Sequence, residues 1–172
     1  MDKAITLARL RALQVVSPPV DRHEIDALRA AAHTAGRRLI EVTTADGQTG
    51  IVAGWLHDSP LAIDERGGPP GTSEGAVLVL AACVRLCWPD PDKPLLPGTV
   101  TTVADIKASL SNLGVHQVTG ALNRLSACGY LRLDQTGTAV WLGPAIGLWR
   151  AEDVALLQRE YATLPGPQGT RP

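Results

Sequence analysis

His116, Gln117, Asn123 and Arg124 fall within nine positions of one another and are the residues best equipped for recognition chemistry. Carboxamides can make paired hydrogen bonds to adenine, arginine can do so to guanine, and histidine can donate or accept. Gly120 and Ala127 lie among them, and such small residues would let a groove wall or another chain approach closely. No His-Glu-x-x-His, Gly-x-Ser-x-Gly, phosphate-binding glycine loop or dinucleotide fingerprint occurs anywhere in the chain. His23 and His33 lie ten apart, and His57, Asp58, Asp64 and Glu65 share one polar stretch. Acids in such loops are ordinarily solvated, so no catalytic role is expected. A small enzyme or ligand sensor built on residues 57–72 is the rival reading.

Cys83 and Cys87 are four apart in an apolar run, and Cys128 stands alone. That spacing within one helix lacks the tight turns of a zinc site, and buried cysteine commonly packs as a small hydrophobe. No metal or cofactor is expected, and redox sensing is the alternative for these thiols. An odd number without paired spacing predicts a reducing cytoplasm. The four tryptophans, in a chain with no phenylalanine, are expected where its parts meet; a tryptophan-lined ligand pocket is the rival.

The elements that must position the polar cluster follow from periodicity. Val118, Leu122 and Leu125, at i, i+4 and i+7, predict a helix that starts near Val115 and ends at Gly129. Its opposite face is His116, Gln117, Gly120, Asn123, Arg124 and Ala127. Thr102 with Asp105 three residues later resembles a capping box. The helix it opens should bury Val103, Ile106 and Leu110, run to about Asn112 and stop at Gly114. So short a link forces the two helices to cross steeply. Downstream, "YLRL", "DQTGT" and "AVWL" read as strand, turn and strand. Upstream, residues 74–88 read as a buried helix capped by Ser73. Interrupted by Arg85, this stretch is too short to span a bilayer. Residues 89–98 hold four prolines and predict an irregular loop.

In the N-terminal part, Ile5, Ala8, Ala12 and Val15 predict a helix over 3–16. Asp21 caps a second, with Ile25, Leu28, Ala32 and Ala35 inward and Gly36 ending it. Residues 37–44 and 49–56 then form a hairpin about Asp46-Gly47. The expected divisions are 1–56, a proline- and glycine-rich linker at 57–72, a domain over 73–150, a closing helix at 151–164 using Val154, Leu157 and Tyr161, and a tail at 165–172. The amino terminus shows no secretion signal. No sequence repeat is evident, although helices followed by a hairpin occur in both halves.

The succession of three helices and a hairpin over about residues 73–150 resembles the winged helix-turn-helix domain of bacterial MarR-type transcriptional regulators. The phrase "ALNRLSACGYLRLDQTGTAVWLG" carries most of this: a helix ending in a small residue plus glycine, then an apolar strand and a short wing. The resemblance implies an α+β, mostly helical fold, a winged helix-turn-helix with an N-terminal helix-helix-hairpin extension and a C-terminal helix. It implies a cytoplasmic homodimer on double-stranded DNA, with recognition helices in major grooves about 34 Å apart. Gln117, Asn123 and Arg124 would read bases, and Thr101, Thr102 and Lys107 would position phosphates. His116, Gly120 and Arg132 would complete the contact surface.

Charge pulls the other way. The 172 residues carry a net charge of −1, and 45% are hydrophobic, a globular rather than a disordered composition. Within 73–150 six basic residues face five acidic ones, a balance of +1, and the first 44 residues contribute +2. Domains that bind nucleic acid through phosphates are ordinarily far more basic. The wing tip, "DQTGT", holds an acid where such regulators usually carry lysine or arginine. The alternative expectation is therefore a winged-helix protein-interaction subunit of a larger, for example chromosome-organising, assembly.

Overall fold

The computed structural model describes residues 15–18, 21–56 and 73–167. The helix expected over 3–16 lies outside the described residues except at its end, as do the linker at 57–72 and the tail beyond 167. At that end the structure corrects the sequence reading. Val15 and Val16 form a short strand, β1 (Val15–Val16), paired antiparallel with Val52 and Ile51. Two adjacent β-branched residues suit an extended backbone.

Helix α1 (Arg22–Thr34) is capped by the Asp21 carboxylate, which accepts from the His23 N–H at 2.9 Å. Ile25, Leu28 and Ala32 are buried on its inner side. Ala35, expected among them, is instead the exposed C-cap, because the chain turns away at Gly36 with φ +70°. Strands β2 (Arg37–Thr43) and β3 (Thr49–Trp55) form the expected hairpin, in register from Arg37↔Trp55 to Thr43↔Thr49. Leu28 and Ile51 pack together, with Val16, Leu39 and Ala53 around them.

The second half is built on α2 (Glu74–Cys87), whose N-cap is Ser73. Strand β4 (Thr101–Thr102) leads into α3 (Val103–Leu110), a 3-10 turn at Ser111–Leu113, and α4 (Val118–Ala127). Strands β5 (Leu131–Leu133) and β6 (Ala139–Leu142) close the wing. Helix α2 is apolar on most sides because α3, α4 and β6 all pack on it. Trp88, Ile106, Leu110, Leu122, Leu125, Leu131 and Leu142 fill the space between them. A 3-10 segment at Pro144–Leu148 precedes α5 (Ala151–Arg159), and a last 3-10 turn covers Tyr161–Thr163. Val154, Leu157 and Tyr161 pack against the core as expected. Tyr161 meets Trp88 edge-on at 5.7 Å, and the Arg85 guanidinium lies 3.7 Å over its ring.

The fold is α+β, with five α-helices and two three-stranded antiparallel sheets among the described residues, and the order α2-β4-α3-α4-β5-β6 is that of a winged helix. The two sheets share one plan. Their strand orders are β1-β3-β2 and β4-β6-β5, so in each a two-residue strand joins the second arm of a hairpin that follows a helix. This common plan has no counterpart as a sequence repeat.

The halves meet at residues 143–148. Val42, Val52 and Ala145 form a small buried cluster there. Arg38 donates to the Leu148 carbonyl and to the Trp55 carbonyl, each at 2.9 Å. On its other side this segment is held within the second half: the Gly143 N–H donates to the Tyr130 carbonyl at 2.7 Å, and the Ala145 N–H to the Gly129 carbonyl at 3.0 Å. The backbones are so close that a Cβ on Gly143 would sit 2.1 Å from the Gly129 oxygen, and one on Gly147 would sit 2.5 Å from a Val42 methyl.

Candidate functional site

Helix α4 has two chemically distinct sides. Val118, Ala121, Leu122 and Leu125 are buried against α2, while Thr119, Gly120, Asn123, Arg124 and Ala127 are exposed. The helix begins at Val118, three residues later than the apolar spacing predicts. The delay has a local cause. Gly114 adopts a left-handed conformation (φ 65°, ψ 22°) after the 3-10 turn, so residues 115–117 are spent returning the chain to helix. His116 and Gln117 are exposed on this approach rather than on the helix, Gln117 being its N-cap.

Two adjoining clefts flank these residues. One, of about 380 Å³, is lined by Lys107, Ser111, Thr119 and Gly120. The other, of about 470 Å³, lies between the start of α2 and α4, with Glu74, Leu78, Leu113, Val115, Ala121 and Arg124 on its walls. His116 and Gln117 line both. The structure therefore brings His116, Gln117, Gly120 and Lys107 together, sets Arg124 beside them, and leaves Asn123 exposed outside both clefts.

The remaining expected contact residues are occupied elsewhere. Thr101 is buried and pairs with Val140 in the sheet. Thr102 is exposed, but its hydroxyl accepts from the Asp105 N–H at 3.1 Å and donates to the Asp105 carboxylate at 2.6 Å. Thr102 is thus the expected N-cap, but Asp105 returns its bond to the hydroxyl and not to the Thr102 N–H of a full capping box, and the hydroxyl is committed. Arg132 turns toward the N-terminal hairpin, where it pairs with Asp46 at 3.3 Å and donates to the Gln48 side chain. Sequence reasoning missed this link because the partners are more than eighty positions apart.

The acid at the wing tip also has a local task. Asp134 accepts hydrogen bonds from the Thr136 hydroxyl and from the backbone N–H groups of Ala139 (2.9 Å) and Thr138 (2.7 Å). These donors hold its carboxyl at about 2, below the usual aspartate value. Cys83 and Cys87 are fully buried in α2. Burial raises the Cys83 thiol well above its usual range and pushes Cys87 up to about 12, which disfavours the thiolate that oxidation or metal binding needs. Trp88 is buried in the core, and Trp55 carries the Arg37 guanidinium 3.9 Å over its ring.

Among the described residues no three His, Cys, Asp or Glu side chains gather as a metal site, and no helix is long and apolar enough to cross a membrane. The exposed cluster offers hydrogen-bond donors, carboxamides, two cations and several apolar side chains, a set suited to reversible docking.

No family model matches the chain. No curated protein matches it in sequence. Its fold is similar to one chain of the solved Nse1-Nse3-Nse4 complex, with a TM-score of 0.56 and 10% identity, over 95% of this chain and 78% of that one.

Proposed function

We propose that this chain is a winged-helix subunit of a larger protein assembly, docking partners through the exposed side of α4 and the clefts beside it. The observation that carries this reading is the disposition of charge. Of the three cations between residues 101 and 142, Arg132 is paired with Asp46, which leaves Lys107 and Arg124. Two cations from this stretch neutralise few phosphates, whereas proteins whose DNA affinity falls steeply with salt make roughly 6–10 such contacts. The wing tip offers a carboxylate bound into its own turn instead of a cation for the minor groove. Likeness of fold to a chain of a multi-protein complex supports the same reading.

One observation favours a second reading, a transcriptional regulator that binds DNA as a homodimer. Gln117, Asn123 and Arg124 are all exposed on one side of the molecule, and these types read base edges. A single experiment separates the two. The tagged full chain is captured from lysate of its own source, with and without nuclease. Partner proteins retained in fixed ratio after nuclease are expected. Recovery that depends wholly on nucleic acid, together with retention of genomic fragments by the pure protein at low salt, would overturn the subunit reading for the DNA one.

A further inference from the structure

Resting on the subunit reading, we infer that the cleft between α2 and α4 receives an amphipathic helix of a partner protein whose apolar stripe is flanked by acidic residues. Leu78, Val115 and Ala121 contribute apolar side chains to a lining that is otherwise polar, and Leu113 stands at the cleft 49% exposed to water. An exposed leucine alone is ordinary, but one set beside other apolar side chains in a concave surface gains most from a partner that covers it. The lining is the first turns of α2, the turn at residues 113–117 and the side of α4, with no strand edge among its residues. A helix in a groove is therefore the fitting mode, and an added strand is not.

Charge sets the chemistry of the incoming segment. Arg124 lines this cleft and Lys107 the adjoining one, and neither makes an ion pair among the described residues. Glu74 is the one acid of the lining, and it lies in the first turn of α2, where the helix end offsets a negative charge. Acidic residues beside the apolar stripe would meet Arg124 and Lys107; basic ones would meet them as like charges. Close approach is open as well. A Cβ on Gly120 would find nothing within 4 Å, and one on Gly75 would only touch Val115 at 3.7 Å. No buried side-chain polar atom among the described residues lacks a partner, so no orphan group awaits a small polar ligand here.

The test selects a displayed library of random peptides of about 16 residues, long enough for about four helical turns, on the immobilised full chain. Enriched sequences should place Leu, Ile or Met at helical spacing with Asp or Glu alongside. Affinity for the best of them should fall at least tenfold for Leu113→Asp and for Arg124→Glu. Lysine-for-glutamate versions of the same peptide should recover binding on Arg124→Glu. Both positions are exposed, and thermal melts of the variants confirm that they fold. Enrichment of basic or patternless peptides, no enrichment at all, or binding indifferent to both substitutions would overturn the inference. So would a captured natural partner whose cross-links fall away from this cleft, an outcome that leaves the subunit reading standing.

Discussion

Replacing Gly143 with alanine tests the close backbone crossing at the base of the wing, where residues 143–145 run against residues 129–131. The residue has an ordinary extended backbone (φ −89°, ψ 165°), so its requirement for glycine is one of space and not of conformation. The added methyl would meet the Gly129 carbonyl oxygen at 2.1 Å, the Gly129 carbonyl carbon at 2.8 Å and the Leu131 nitrogen at 2.8 Å. All three are backbone atoms, so no side-chain rotation relieves the overlap. The strands must part by about 1 Å or more to reach ordinary van der Waals separation. Overpacking of this kind costs about 1–3 kcal/mol. Parting also stretches the bonds from Gly143 to Tyr130 and from Ala145 to Gly129, each worth about 0.5–1.5 kcal/mol. Together these give roughly 2–6 kcal/mol, a large share of the roughly 5–15 kcal/mol that holds a typical domain together. For a chain of this size the melting temperature should drop by roughly 5–20 °C. Urea and thermal unfolding followed by tryptophan fluorescence and far-ultraviolet circular dichroism measure it. Gly120→Ala is the paired control: its Cβ meets nothing, and it should stabilise α4 by about 0.5–1 kcal/mol. If Gly143→Ala melts within a degree or two of the parent chain, the proposed crossing is wrong.

Three further outcomes are expected. The Asp134 carboxyl titrates near 2 in the folded chain and near 3.9 when unfolded, so its contribution is complete above about pH 4 and disappears as pH falls toward 2. Asp134→Ala should remove that dependence and speed amide exchange at Thr138 and Ala139; unchanged exchange at those two amides would refute the assignment. In the native protein a thiol reagent should modify Cys128, which is partly exposed, well before Cys83 and Cys87; three equivalents reacting at one rate in folded protein would contradict the buried thiols. A double-mutant cycle on Asp46→Ala and Arg132→Ala should return a coupling of about 1 kcal/mol, because the pair is only 12% and 26% exposed. Additive effects would mean that the ion pair does not join the two hairpins.

Local rules were enough to read most elements. Ser73 and Thr102 begin their helices as capping residues because the groups they satisfy lie within three positions. The buried stripe of α4 was visible in Val118, Leu122 and Leu125, since its partner surface imposes a simple period. The Asp46-Gly47 turn and both hairpins followed from similarly short signals. What was hidden is non-local. β1 and β4 are two residues long, too short to show any period, so Val15 read as helix and Thr101 as an exposed contact. The 3-10 segment at 144–148 is specified by the sheet it rests on, which was assembled about ninety residues earlier. Of the contact residues, exposure was legible wherever helix geometry fixed it, as at Asn123 and Arg124. It was not legible at Arg132, whose partner comes from the other half.

Strand β2 stands at the end of its sheet with no further strand beyond it among the described residues. Seven residues of open edge would ordinarily invite another chain to stack on, the first step of aggregation. Here that edge carries Arg37 held over Trp55, Arg38 tied to Leu148 and Glu41 paired with Arg29, so an arriving strand would have to strip charges from their partners. Sheet extension is thereby discouraged along this border, which lets the chain stay apart from other copies of itself at high concentration.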